Sequence, residues 1–98
     1  MSYPIIIQSE AELDLEDAYC WYEQRRQGLG SEFIRAVDNC FSSIAENPFA
    51  YPQVYKQTRR ILVRRFPYGI FYFINNNTIL IIACFHTKRN PKTWQKRL

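Results

Sequence analysis

The sequence predicts an α+β domain in which a small, mainly antiparallel sheet packs on an antiparallel helical hairpin, in the order β-α-α-β-β-β. Helical periodicity is confined to residues 9–46, whereas strand-like apolar runs occupy residues 3–8 and 59–85. A chain of 98 residues has room for one domain, which we expect to span residues 1–98. Its composition, 47% hydrophobic and 22% charged, is typical of a globular protein and argues against disorder.

The N-terminal half supplies one strand and both helices. Residues 3–8 are a short β-branched run that predicts a strand. Ser9–Glu12 matches the S-x-x-E capping box, and apolar residues at helical spacing extend that helix to about Gln27. Apolar residues at helical spacing predict a second amphipathic helix over 30–46. It ends before Pro48, because proline disfavours helical geometry in the residue before it.

The C-terminal half supplies three strands, predicted over 59–66, 70–75 and 78–85 after a loop rich in Pro and Tyr over 48–57. Asn75–Asn77 predicts a hairpin turn between the last two strands, since Asn tolerates positive φ. Strict alternation divides the last strand into two apolar faces, with Ile79, Ile81 and Ala83 on one and Leu80, Ile82 and Cys84 on the other.

Strands that are apolar on both faces must be covered on both faces. The helical hairpin can cover one. The tail Thr87–Leu98 is mainly basic and offers, besides the terminal Leu98, one large apolar residue, Trp94. We therefore expect the tail to leave most of the second face bare, for a partner protein to cover.

Charge divides the chain into two parts. Residues 1–46 contain all nine acidic residues and three arginines, a net charge of −6, whereas residues 47–98 contain ten basic residues and no acidic one. A positive field of this kind attracts anionic partners such as nucleic acid or acidic protein segments. We expect such a partner rather than a merely solvated basic surface.

Several classes of protein are excluded or disfavoured. The longest apolar run, Ile79–Phe85, has seven residues, far fewer than the roughly 20 that span a membrane. Three widely spaced cysteines without a CxxC pair are typical of free thiols in a reducing cytosol. We expect a cytoplasmic protein with no membrane association, no metal and no cofactor.

The segment after the last strand is the best candidate for chemistry. His86, followed by Lys88 and Arg89, could transfer protons in phosphodiester chemistry. The simpler interpretation is structural: His86 donates a hydrogen bond to a backbone carbonyl and Trp94 fixes the tail to the sheet. On the first helix, a row of carboxylates is expected to be solvated rather than to bind metal: Glu10, Asp14 and Asp17.

In these motifs and their order, the chain resembles the RelE/ParE superfamily of toxins from bacterial type II toxin–antitoxin systems over nearly its whole length. The segments that carry the resemblance are Ala11–Tyr22, Gly28–Gly30 before Phe33, Ile44, Asn47-Pro48, Tyr51-Pro52, Arg60–Leu62, Phe66–Ile70, Tyr72, His86, Arg89–Pro91 and Trp94. The resemblance implies the same order of elements and a small antitoxin whose acidic, apolar segment folds over the toxin. It leaves open a homodimer or a hetero-oligomer with the antitoxin.

Two branches of the superfamily imply different activities. The RelE branch, which cleaves mRNA on the ribosome, typically has an arginine and a tyrosine where this chain has Gly69 and Trp94. Phe66–Tyr68 and Arg89–Trp94 look more like the ParE branch, which is associated with DNA gyrase inhibition and plasmid stabilisation. We therefore expect a non-catalytic toxin that inhibits growth through gyrase, with a RelE-type endoribonuclease as the alternative.

The resemblance and the charge pattern assign residues to each role. Target or nucleic-acid binding is expected at Arg60, Arg64, Arg65, Lys88, Arg89 and Trp94. Antitoxin binding is expected at Phe71, Phe73, Arg59 and Leu13. Under the nuclease alternative, the residues that hold phosphate and transfer protons are His86, Arg89 and Arg64. A third interpretation is a plain nucleic-acid-binding module, in which bases stack on Tyr72 and Phe73.

Overall fold

The computed structural model describes residues 2–98. Its elements are β1 (Ile5–Ile7), α1 (Ser9–Arg25), α2 (Leu29–Glu46), β2 (Gln53–Tyr55), β3 (Thr58–Leu62), β4 (Tyr68–Asn75), β5 (Thr78–His86) and α3 (Lys92–Gln95). The predicted α+β fold and its order of elements are confirmed, with two additions: β2 within the predicted loop and α3 within the tail. None of the helices in the described part of the chain has the length and apolar character needed to cross a membrane.

The five strands form one mixed sheet in the order β1-β5-β4-β3-β2. β1 runs parallel to β5, and all other neighbours are antiparallel. The central β4–β5 hairpin turns through Asn76 and Asn77, whose φ angles are 50° and 65°. Two consecutive positive φ angles are what a tight hairpin turn requires, so the predicted turn is confirmed.

The helical hairpin is held by one carboxylate and one glycine. Gly28, at φ 89°, is the N-cap of α2, and the Glu23 carboxylate of α1 accepts hydrogen bonds from the backbone N–H groups of Gly28 and Gly30, both at 2.9 Å. A Cβ at Gly30 would lie 2.8 Å from the Tyr19 carbonyl oxygen. The absence of a side chain therefore lets the two helices approach closely.

The predicted capping box at the start of α1 is wrong. The N-cap residue is Gln8, and no side chain caps the helix. The Glu12 N–H instead donates to the Gln8 carbonyl at 3.0 Å, an ordinary helical hydrogen bond. Ser9 lies one residue inside the helix, where its hydroxyl cannot serve as the cap.

The main core lies between the helices and the first face of the sheet. Phe33, Val37 and Ile44 of α2 pack with the buried residues Ala11, Ala18, Tyr22, Ile70, Tyr72, Ile79, Ile81 and Cys84. Tyr72 is fully buried, and its hydroxyl donates to the Pro48 carbonyl at 2.7 Å. Burial raises the pKa of Tyr72 to about 12, because the phenolate would lose its hydration.

The tail covers part of the second sheet face, which corrects the expectation that this face stays bare. Trp94 is 3% exposed and stacks on Phe71 with ring centroids 4.2 Å apart. Its ring also meets Tyr55 edge to face at 5.9 Å. A single indole has enough area to cover this cluster, whose other buried members are Ile82, Ala83 and Phe85.

A β-bulge in β5 changes which side chains face the helices. Tyr72 pairs with Ile81 and Phe71 with Ala83, so Ile82 has no partner in β4. Ile82 and Ala83 consequently both pack on the tail side, and Cys84 packs on the helix side. Strict alternation therefore assigns the wrong face from Ala83 onward.

Side chains replace a strand along the outer edge of β5 after β1 ends at Ile7. The Cys84 N–H donates to Asp14 Oδ2 at 3.1 Å, and Arg97 Nη1 donates to the Ile82 carbonyl at 3.0 Å and to Asp14 Oδ2 at 2.6 Å. The Asp14 side chain is 10% exposed. The expectation of a solvated carboxylate is thus wrong for Asp14, which anchors the tail to α1.

Candidate functional site

Most of the residues predicted to bind the target line two separate clefts. The tail cleft, about 270 Å³ in volume, lies between the second sheet face and the tail. The α2–β3 groove, about 570 Å³, lies between α2, β3 and the turn that follows β3. Residues lining the tail cleft include Arg60, Phe85, His86, Thr87, Arg89 and Trp94. Those lining the groove include Glu32, Arg35, Asn39, Ser43, Arg64 and Arg65.

Two arginines line the tail cleft, and one of them lies over an aromatic ring. Arg60 pairs with Phe71 across β3 and β4, and its Nε is buried without a hydrogen-bond partner among residues 2–98. The Arg89 guanidinium lies 4.0 Å from the centroid of the Phe85 ring. A guanidinium held on a ring keeps donors for a carboxylate or phosphate, so the cleft is suited to an anionic group.

His86 lies at the rim of the tail cleft with one ring nitrogen already bonded. Its Nδ1 accepts a hydrogen bond from the Lys88 N–H at 3.0 Å, and its ring meets Tyr68 edge to face at 5.3 Å. An accepting Nδ1 places the proton of the neutral imidazole on Nε2. The side chain thus accepts from an amide, rather than donating to a carbonyl as the structural interpretation predicted.

Arg64 and Arg65 lie in the α2–β3 groove and not in the tail cleft. Arg65 is 3.2 Å from one oxygen of Glu32, and Arg26 is 3.0 Å from the other. Hydrogen bonds from these two arginines hold the pKa of Glu32 below its usual value. The three residues predicted to act together in a nuclease are therefore divided, with His86 beside Arg89 and Arg64 elsewhere.

The four residues predicted to bind antitoxin do not form one surface. Leu13 is 59% exposed on α1, whereas Phe71 is buried beneath Trp94. Phe73 is half-buried on the second sheet face. Arg59 is tied to the loop before β2, because its Nη1 donates to the Tyr51 carbonyl at 2.6 Å.

Base stacking on Tyr72 is inconsistent with the structure, since that ring is fully buried on the helix side of the sheet. Lys88 is exposed in the turn after β5. Sequence reasoning missed Arg35 as a site residue. Its spacing of four from Asn39, and of eight from Ser43, is the signal that could have placed the three on one face of α2.

No group of side chains within residues 2–98 has an arrangement that could hold a metal ion. Burial raises the pKa of the Cys40 thiol, which lies beside the α2–β3 groove and contacts the Leu62 carbonyl at 3.8 Å. A raised pKa keeps this thiol protonated and poorly nucleophilic at neutral pH.

The sequence model of the ParE toxin of type II toxin–antitoxin systems, parDE, matches residues 5–91. The chain belongs to the ParE toxin family. This match confirms the resemblance inferred from the motifs, including its assignment to the ParE side of the superfamily. No curated protein sequence matches the chain.

Solved toxin structures share the fold of this ParE-family protein. The chromosomal ParDE system of Pseudomonas aeruginosa matches with a TM-score of 0.77 at 12% identity, covering 87% of this chain and 96% of that one. An arginine-substituted mutant of Escherichia coli toxin RelE in the free state gives 0.72 at 13% identity, covering 99% and 94%. The RelBE2 toxin–antitoxin complex of Mycobacterium tuberculosis gives 0.61 at 17% identity, covering 88% and 99%.

Proposed function

We propose that this ParE-family protein inhibits growth by binding DNA gyrase, without catalysing a reaction, and that an acidic antitoxin neutralises it. The observation that carries the target-binding part is the tail cleft, which Arg60 lines and where the Arg89 guanidinium lies over the Phe85 ring. Such a cleft can hold a carboxylate of a protein target or a phosphate of its DNA.

The placement of His86 supports binding over catalysis. Its Nδ1 is occupied by the Lys88 N–H, and Arg64 lies in a different cleft. A nuclease would need a proton-transferring group and phosphate-holding cations around the same reacting atoms. The tail cleft is lined by Arg60, Arg89 and His86, so an RNA-cleaving activity is the specific alternative that the test must address.

Charge supports an acidic antitoxin. The second half of the chain carries ten basic residues and no acidic one, and most of these basic residues are exposed. The P. aeruginosa relative is a ParDE system, and the M. tuberculosis relative is a toxin–antitoxin complex. The three free cysteines of this chain fit a reducing compartment, and we propose that this toxin meets its antitoxin in the cytoplasm and contributes to plasmid stabilisation.

The decisive experiment compares two target assays on the purified chain. We expect inhibition of gyrase-catalysed supercoiling and accumulation of cleaved DNA, with mRNA left intact on ribosomes. Arg89→Ala should abolish this inhibition and the growth arrest while the protein stays folded, and Lys96→Ala, an exposed control, should retain both. Codon-positioned mRNA cleavage with normal gyrase activity would instead establish the RelE-type alternative.

A further inference from the structure

The α2–β3 groove is left without a role by the proposed target site. We propose that it is the docking site for the acidic segment of the antitoxin, separate from the tail cleft that meets the target. This inference rests on the proposed function, because it presupposes an antitoxin. It reassigns Arg64 and Arg65 from target binding to partner binding.

The shape of the groove fits one segment of a protein chain. Glu32, Ala36, Asn39 and Ser43 follow one face of α2, over a length of about 16 Å at 1.5 Å per residue. Opposite them stands β3, where Ile61 lines the groove. The result is a trough of about 570 Å³ lined by both apolar and polar side chains. A segment of about three helical turns has the same length.

Charge identifies the chemistry of the occupant. Arg35 and Arg64 are exposed and have no side-chain hydrogen bond or ion pair among residues 2–98. Arg65 is 69% exposed and shares Glu32 with Arg26. The groove therefore holds more positive than negative charge, with two guanidinium groups free to bind carboxylates in bidentate fashion.

An acidic peptide fits the groove better than a nucleic acid. No aromatic residue lines the groove, whereas Phe85 and Trp94 line the tail cleft. Single-stranded nucleic acids bind proteins largely by stacking bases on aromatic rings. The uncharged side chains of Asn39 and Ser43 are instead suited to hydrogen bonds with a peptide.

The experiment measures binding of the full chain to the purified product of the adjacent reading frame, by calorimetry at low and moderate salt. Arg35→Glu/Arg64→Glu should weaken binding about tenfold or more, since it turns two attractions into repulsions. Lys92→Glu/Lys96→Glu makes the same change in net charge outside the groove and should stay within about twofold. Ser43→Glu adds a negative charge inside the groove and should weaken binding, whereas Ser42→Glu adds the same charge outside the groove and should leave binding unchanged.

The outcomes separate the two proposals. If the wild-type chain forms no complex, the antitoxin part of the proposed function is refuted, and the docking site that presupposes it is refuted as well. If a complex forms but groove and control variants bind equally, only the docking site is wrong. In a third outcome, Arg35→Glu/Arg64→Glu no longer binds labelled duplex DNA but still binds the partner protein. That result would also refute the proposed docking site and would make the groove a nucleic-acid site. Unchanged thermal unfolding shows that each variant is folded.

Discussion

The contact between Trp94 and the second sheet face allows a quantitative test of how the tail is held. Trp94→Ala removes the ring that stacks on Phe71 at 4.2 Å and meets Tyr55 at 5.9 Å. α3 has only four residues, and Trp94 is its one buried side chain. Without that ring, α3 has no buried side chain on the sheet, and the tail is held there mainly by the bonds of Arg97 to Asp14 and to the Ile82 carbonyl.

The expected magnitude follows from the buried area. Trp94 is 3% exposed, so nearly its whole side chain leaves water on folding. An area of about 200 Å² at about 25 cal/mol per Å² corresponds to about 5 kcal/mol. Release of the tail returns some conformational entropy, so we expect a loss of about 3 kcal/mol. That is a large share of the roughly 5–15 kcal/mol that stabilises a domain of this size.

Urea unfolding followed by circular dichroism measures this loss, as a midpoint lower by about 2 M. Phe71 and Phe85 should become accessible at the same time, which an increase in binding of a hydrophobic dye would report. Trp21→Ala is the matched control, because Trp21 is 50% exposed and should cost about 1 kcal/mol or less. If the two variants lose the same free energy of unfolding, the conclusion that Trp94 packs the tail on the sheet is refuted.

Three further predictions concern the helix crossing, the tail anchor and the alkaline limit of stability. Gly30→Ala should destabilise by about 1–3 kcal/mol, because its methyl group would meet the Tyr19 carbonyl at 2.8 Å. Asp14→Ala should cost about 3–5 kcal/mol, since it leaves the largely buried Arg97 guanidinium with only the exposed Glu10 carboxylate as an ionic partner and the Cys84 N–H without its acceptor. Burial raises the pKa of Tyr72 to about 12, above its unfolded value of about 10. The unfolded chain therefore loses this proton first, and stability should fall as pH rises from about 10 toward 12; Tyr72→Phe should flatten that decline.

Each of these predictions has a control that shares its chemistry. Ser31→Ala tests the same helix at an exposed position and should change stability by less than about 0.5 kcal/mol. Glu10→Ala removes the other carboxylate near Arg97, 3.7 Å away but 60% exposed, and should cost little. Tyr72→Phe should cost about 1 kcal/mol at neutral pH through the lost bond to Pro48. If the stability of this variant falls as steeply at alkaline pH as that of the wild type, the decline comes from other tyrosines and not from Tyr72.

The order of elements could be predicted from the sequence because each signal is local. Helical periodicity identifies α1 and α2, and the Asn76-Asn77 turn needs only the tolerance of Asn for positive φ. The bulge at Ile82 could not be predicted, since one unpaired residue leaves the apolar pattern of β5 unchanged. β2 was missed because a three-residue edge strand follows from pairing with β3 rather than from its own composition.

The candidate site could be predicted only where the residues that form it are close to one another in the sequence. His86 and Arg89 are neighbours in the chain, and the structure keeps them in one cleft. Arg60 and Arg64 are also close in sequence, yet they serve different clefts, because β3 ends at Leu62 and the following turn passes through Arg65 at φ 72°. The anchor of Asp14 on Arg97 joins residues at opposite ends of the chain, which no local pattern reveals.

The unpaired Ile82 sets the side to which everything beyond it in β5 is turned. If Ile82 were instead paired with Phe71, with every residue kept, strict alternation would return and the remainder of the strand would turn to the opposite face. The Cys84 thiol would then point under the tail, Phe85 would press against α1, and His86 would leave its place beside the Tyr68 ring. Deleting the codon for Ile82 would instead remove the bulge and leave Cys84, Phe85 and His86 on the faces they occupy now, because Ala83 would then follow Ile81 on the tail side.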